Sequence, residues 1–162
     1  MFKAFKPILY IQLSPQQLSV RNLKTGETLA EVPEVAIAYD PAPRVLGMGA
    51  EARAFGAEPS VELINPFGHP RSLVSDFIVG EQLLKAFIRR ALGRSLLTIA
   101  PRVVMHPLGD PAGGFTQVEL RALREMALGA GACEVVIWRG RGLTDAELGE
   151  WRFPSEGELS AG

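Results

Sequence analysis

The sequence predicts an α/β domain in which helices pack on a mixed sheet. Three observations carry this. Short apolar runs with strand-like alternation crowd the N-terminal part, helical spacing takes over from Ser75, and a helix-forming segment lies between two buried-type strands in the C-terminal part.

Taken in order, Ile8 to Leu13 is an apolar, β-prone run, and Ser14-Pro15-Gln16-Gln17 places proline at a turn position before Leu18-Ser19-Val20-Arg21 resumes with alternating polarity. Lys24-Thr25-Gly26-Glu27 is a second turn, leading into Thr28-Leu29-Ala30, so the chain opens as a three-strand meander. Val35-Ala36-Ile37-Ala38 and Val45-Leu46-Gly47-Met48 are two further strands, parted by Asp40-Pro41-Ala42-Pro43. Ala50 to Pro70 reads as less regular and of mixed structure. Phe77, Ile78, Leu83, Leu84, Phe87, Ile88, Ala91 and Leu92 recur at helical spacing, and Gly93 sits where a C-terminal cap belongs. Pro101 to Met105 is a buried-type strand, followed by a glycine-rich turn ending at Phe115. Thr116 and Glu119 have capping-box spacing, so a second helix starts there and runs to the stop at Gly129-Ala130-Gly131. Glu134 to Trp138 is again a strand, and the βαβ unit that results implies a parallel pair with a right-handed crossover. Leu143 to Trp151 adds a short helix, and Phe153 to Gly162 reads as a flexible tail.

The chain of 162 residues, 47% hydrophobic, suits one domain with a real core. A formal net charge of -1, with both signs interspersed, supplies no basic field and predicts no nucleic-acid partner. The lone cysteine, Cys133, excludes an internal disulfide framework and reads as a small buried residue ahead of a strand. The basic start meets Pro7 at once and is not a signal peptide, and no stretch reaches the roughly 20 apolar residues of a membrane span. Cytoplasm is the expected compartment.

The chemistry on offer is sparse. His69 and His106 stand far apart with no second ligand at metal spacing. The loop Gly109-Asp110-Pro111-Ala112-Gly113-Gly114 precedes a helix N-terminus, where free N–H groups and the helix dipole suit an anion. It lacks the lysine and glycine spacing of a P-loop and reads first as a plain turn, with an anion- or nucleotide-binding loop through Phe115 as the competing reading. Arg89, Arg90 and Arg94 gather where a helix C-terminus favours positive charge. Ser72, Ser75 and Asp76 lack a histidine that would make them a nucleophile site, and helix capping accounts for Ser75 and Asp76.

Several segments nevertheless have a familiar order. Pro101-Arg102-Val103-Val104, then Thr116-Gln117-Val118-Glu119-Leu120-Arg121-Ala122-Leu123-Arg124-Glu125, then Gly129-Ala130-Gly131-Ala132-Cys133-Glu134-Val135 resemble the PRVVV…TQVERRAIRE…GAGAREV stretch of bacterial rod-shape determining MreB proteins, actin-like filament ATPases. Met1 to Lys6 is similar to the family's start, and Ile64-Asn65-Pro66-Phe67 with Val74-Ser75-Asp76-Phe77 resembles its IRPM…VIADF segment. The resemblance implies half of an actin-like (ribonuclease H-like) fold: residues 1–152 as one half-domain with a small insertion at about 31–70, and residues 153–162 as the tail.

The departures from the family pattern bear on function. In the family the first hairpin holds phosphate through a DLGTAN-type turn. Here Gln12 stands where that turn has its metal-serving acid, Ser14 where it has glycine, and Pro15 removes a backbone donor. The family's IEEP glutamate, which positions the attacking water, aligns with Gly140. The second phosphate loop and the adenosine pocket are expected beyond Gly162. The resemblance therefore implies a non-catalytic, cofactor-free scaffold or assembly protein related to cell shape, which contacts itself or an MreB-type filament protein. The helix from Thr116 corresponds to one that pairs protofilaments in the family, which makes Arg121 and Arg124 the candidate partner contacts. Phe2 and Phe5, beside Lys3 and Lys6, are candidates for a weak peripheral contact with the inner face of the membrane.

Overall fold

A computed structural model describes residues 6–69, 71–93, 99–109, 111 and 113–161. Its main sheet has six strands in the order β3-β2-β1-β7-β8-β9. The meander is formed by β1 (Ile8–Leu13), β2 (Leu18–Asn22) and β3 (Thr28–Glu31), each antiparallel to the next. On its other side β1 runs parallel to β7 (Arg102–Pro107), and β7 parallel to β8 (Glu134–Arg139). A separate three-stranded sheet, β5-β4-β6, is built from β4 (Val35–Ala38), β5 (Arg44–Met48) and β6 (Val61–Ile64). The less regular stretch is mixed: a 3-10 helix at Gly49–Phe55 and then β6. Four residues of mixed polarity carry too little alternation to announce β6; pairing with the fully buried β4 makes it a strand.

One face of the main sheet is covered by α1 (Phe77–Leu92) and α2 (Gln117–Gly129). Both start on local code. Asp76 accepts the Val79 N–H at 3.1 Å, and Thr116 and Glu119 form the expected capping box. Leu9, Ile11 and Leu13 of β1, with Val103, Met105, Val135 and Ile137, point into this layer and meet Leu83, Leu84, Phe87, Leu123 and Met126. The alternate residues of the same strands, Tyr10, Val104, Val136 and Trp138, form a second, smaller core with Leu143 and Leu148 beneath α3 (Asp145–Glu150). The parallel strands are thus buried on both faces, as their near-continuous apolar sequence requires.

Two expectations need correction. The C-terminal segment is not a loose tail: β9 (Glu158–Ser160) pairs antiparallel with β8, and Phe153 packs on Trp138 and Trp151. Arg139 also forms an ion pair with Glu158 across that pairing. Cys133 is exposed, because Ala132 takes the buried position before β8; the Cys133 thiol faces the Ala100 carbonyl. Trp151 ends α3 in the left-handed region at φ 56°, unusual for a bulky residue, and its indole lies under the Arg102 guanidinium at 3.6 Å.

Candidate functional site: the carboxyl ends of the parallel strands

In open α/β sheets ligands bind beyond the carboxyl ends of the parallel strands. Here the topology brings Gln12 on β1, His106 on β7 and Gly140 just after β8 to that end, with Gln12 and His106 in register. The β1–β2 turn lies beside them. Of the sequence-predicted residues, the structure gathers Gln12, Pro15, His106, Gly140 and the Gly109–Phe115 loop, and leaves Cys133, Arg89 and Arg90 elsewhere. Phe2, Phe5, Arg94, Asp110 and Ala112 lie outside the described residues.

The β1–β2 turn uses its own donors. Ser14 N–H donates to the Gln17 carbonyl at 2.9 Å, and the N–H groups of Gln16 and Gln17 both donate to Ser14 Oγ, at 3.3 and 3.1 Å. Pro15 has no N–H, and its carbonyl accepts Asn65 Nδ2 at 2.8 Å. The turn from Ser14 to Gln17 therefore presents no free backbone amide to an anion. The Ser14 hydroxyl supplies the internal acceptor.

Gly140 is equally committed. A β-carbon there would stand 2.6 Å from the Trp138 ring and 3.2 Å from the Gly157 backbone. The space a side chain would need is taken by the indole and by the segment leading into β9. Trp138 Nε1 donates to the Arg141 carbonyl at 2.8 Å, which fixes the ring there.

His106, 3% exposed, sits between the two. Its Nδ1 accepts from the Tyr10 hydroxyl at 2.6 Å and its Nε2–H donates to the Gly140 carbonyl at 3.0 Å. Burial pushes its pKa down, partly offset by that carbonyl; burial likewise raises the Tyr10 phenol. Both ring nitrogens are used in the neutral form, so His106 is a satisfied core histidine. His69 accepts the Arg71 N–H on its Nδ1 at the surface.

The acids nearby are held by arginines. Arg141 pairs with Glu147 at 2.7 Å and Glu156 at 3.0 Å, and the Arg141 contact, with the Thr144 N–H, holds the Glu147 carboxyl down to about 2. Among the described residues no group of three His, Cys, Asp or Glu side chains is placed to hold a metal.

The glycine-rich loop, with Leu108, Phe115 and His106, lines an open cleft of about 380 Å³. The helix N-terminus behind it already holds an anion of its own: Glu119 accepts from Thr116 N–H at 3.1 Å and from Leu73 N–H at 2.9 Å. Burial pushes this carboxyl up, but those hydrogen bonds outweigh it and hold it below the usual range. Ser75 and Ser72 are spent on the backbone, donating to the Pro66 and Val74 carbonyls. Arg90 is not merely solvated; it pairs with Glu31 at 2.6 Å.

Arg121 and Arg124 lie away from this end, on a groove of about 380 Å³ between α2 and the β8–β9 pair, floored by Leu120, Ile137 and Ser160. Arg121 is exposed and pairs with Glu125 at 3.1 Å; the Nε of Arg124 is buried with no hydrogen-bond partner among the described residues. Sequence reasoning missed Tyr10 and the Ser14 hydroxyl. The signal for Tyr10 is a polar tip within the apolar run of β1, two residues ahead of Gln12.

Known proteins match this architecture. A family model described as MreB/Mbl protein matches residues 9–143. The cell shape-determining protein MreB of Haemophilus influenzae is 33% identical over 138 residues, covering 82% of this chain and 38% of that protein. The MreB of Escherichia coli K12 is 38% identical over 118 residues, 69% of this chain and 32% of its own length. In fold, MreB5 of Spiroplasma citri bound to ADP superposes with a TM-score of 0.66 at 18% identity, over 83% of this chain and 38% of that one. A non-polymerising MamK mutant bound to AMPPNP superposes at 0.63 and 15% identity, over 82% of this chain and 40% of its own. The chain thus spans well under half the length of the relatives it matches, and its mixed sheet with packed helices is half of an actin-like fold. It belongs to the MreB/Mbl family.

Proposed function

We propose that this chain is a non-catalytic, MreB-like scaffold or assembly protein that works through protein contacts, with itself or with an MreB-type filament protein. The observation that carries the reading is the Ser14–Gln17 turn, whose N–H groups are all donated within the turn where a phosphate would need them. Gln12 in place of an acid, and a Gly140 position filled by Trp138 and Gly157, support it from two other elements. Its relatives, the cell shape-determining MreB proteins of Haemophilus influenzae and Escherichia coli, tie the role to cell shape.

The reading places the protein in the cytoplasm with no nucleic-acid partner, in line with its net charge of -1. Phe2 and Phe5 with their neighbouring lysines add a weak contact to the inner face of the membrane, too small for one copy but additive in an assembly. The anion-loop alternative is weakened by Glu119, which already occupies the helix N-terminus.

Calorimetric titration with ATP and magnesium, with a phosphate-release assay, tests the reading. No heat and no release are expected; measurable affinity or turnover overturns it. Light scattering after size exclusion tests self-association separately.

A further inference from the structure

The groove beside α2 ends in an edge strand. In the sheet order β9 is terminal, so among the described residues one row of its backbone groups has no partner strand, and such an edge accepts an added strand. Among the described residues no helix packs closely on β9, whereas α2 packs on β7 and β8. Ile137 and Ser160, opposite each other in register, form a shelf at the foot of α2 with Leu120.

The charge on this shelf has one sign left over. Arg121 spends its charge on Glu125, an exposed, weak pair easily exchanged for another carboxylate. Arg124 has no acidic partner within salt-bridge distance among the described residues, and its Nε is buried without an acceptor. Two residues along the face of Ile137, Arg139 repeats the pattern: it reaches Glu158, but its own Nε is buried and unaccepted. Buried guanidinium donors without acceptors are costly, and a carboxylate satisfies them.

We propose that this groove binds an extended acidic peptide segment of a partner protein, added as a strand to β9, with carboxylates toward Arg124 on the α2 face and apolar side chains beside the exposed Leu159 on the opposite face. A strand sends alternate side chains to one face, so the segment that fits alternates acidic and apolar residues. The inference rests on the scaffold reading and names the partner's chemistry.

The test uses fluorescein-labelled, end-blocked peptides of alternating valine and glutamate, and of alternating valine and lysine, read by anisotropy against the full chain. The glutamate peptide is expected to bind at least about tenfold more tightly, and Arg124→Glu to weaken it by a similar factor while reversing the preference toward the lysine peptide. N-methylating alternate amides, in one of the two possible frames, abolishes binding if β9 supplies the main-chain partners. Circular dichroism confirms that Arg124→Glu is folded; Arg124→Gln, which keeps donors without charge, serves if it is not. Equal affinity for both peptides, unchanged affinity in the folded variant, or no binding of the glutamate peptide overturns the proposal. Those outcomes leave the nucleotide titration untouched, so failure here and failure of the scaffold reading are separately visible.

Discussion

The Tyr10 hydroxyl lies 2.6 Å from Nδ1 of His106 and accepts the Leu143 N–H at 3.2 Å, so one phenol ties β1, β7 and the start of the α3 segment together. Each donor in the chain of contacts has an acceptor: Leu143 N–H to Tyr10, Tyr10 O–H to His106, His106 Nε2–H to Gly140. Only the neutral imidazole with its proton on Nε2 satisfies all three.

That arrangement sets a pH dependence. The folded-state pKa of His106 is lowered, chiefly by burial, so the folded chain resists a proton that the unfolded chain accepts below about 6.5. Stability is full above that value and falls as pH drops below it, by at most about 1.4 kcal/mol per pH unit for one proton. The loss of stabilisation by Glu147 comes later, between its ordinary value near 4.5 and about 2. Urea midpoints measured from pH 7.5 to 5 should fall for the native chain and stay flatter for His106→Gln.

Tyr10→Phe removes one oxygen and strands two buried partners, His106 Nδ1 and Leu143 N–H. The expected loss is about 1–3 kcal/mol, the range for an unmade buried hydrogen bond. Denaturant unfolding checks it, and a change under 0.5 kcal/mol would show that water replaces the phenol.

Gly157 lets the chain cross the Trp138 ring: a β-carbon there would approach the ring to well inside contact distance. Gly157→Ala is therefore an overpacking change, expected to cost about 1–3 kcal/mol or to lift β9 off β8. Trp138 fluorescence reports which, since detachment wets the indole and shifts its emission to the red.

Thr116→Ala breaks the capping box of α2 and frees Glu119 from the Thr116 hydroxyl. About 1 kcal/mol of stability should go, read in the thermal midpoint. Glu119→Ala should cost more, because it also strands the Leu73 N–H that this carboxylate accepts from another segment.

These four sites differ in how far the sequence revealed them. Thr116 and Glu119 are three residues apart, so the cap is a local code and could be read directly. The meander and the βαβ unit were legible for the same reason, each strand carrying its own alternation. The pairing of β9 was not: Glu158-Leu159-Ser160 has little strand character, and what holds it is Trp138, Phe153 and the Arg139–Glu158 pair, contributed from elsewhere in the chain. At the candidate site, Gln12, Pro15 and Gly140 could be pointed to by position. That the Ser14 hydroxyl takes two amides, and that an indole fills the space over Gly140, required the fold. Cys133 was misplaced because one residue of register decides which of Ala132 and Cys133 faces inward.

The turn at Ser14 also bears on how such a protein is controlled. A loop that waits for a phosphate has two conditions, filled and empty, and whatever touches it can sense the difference. A loop that closes on its own hydroxyl has one. On the reading proposed here, this chain carries no timer at that place, and the contacts it makes follow how many copies are present and which neighbours they meet.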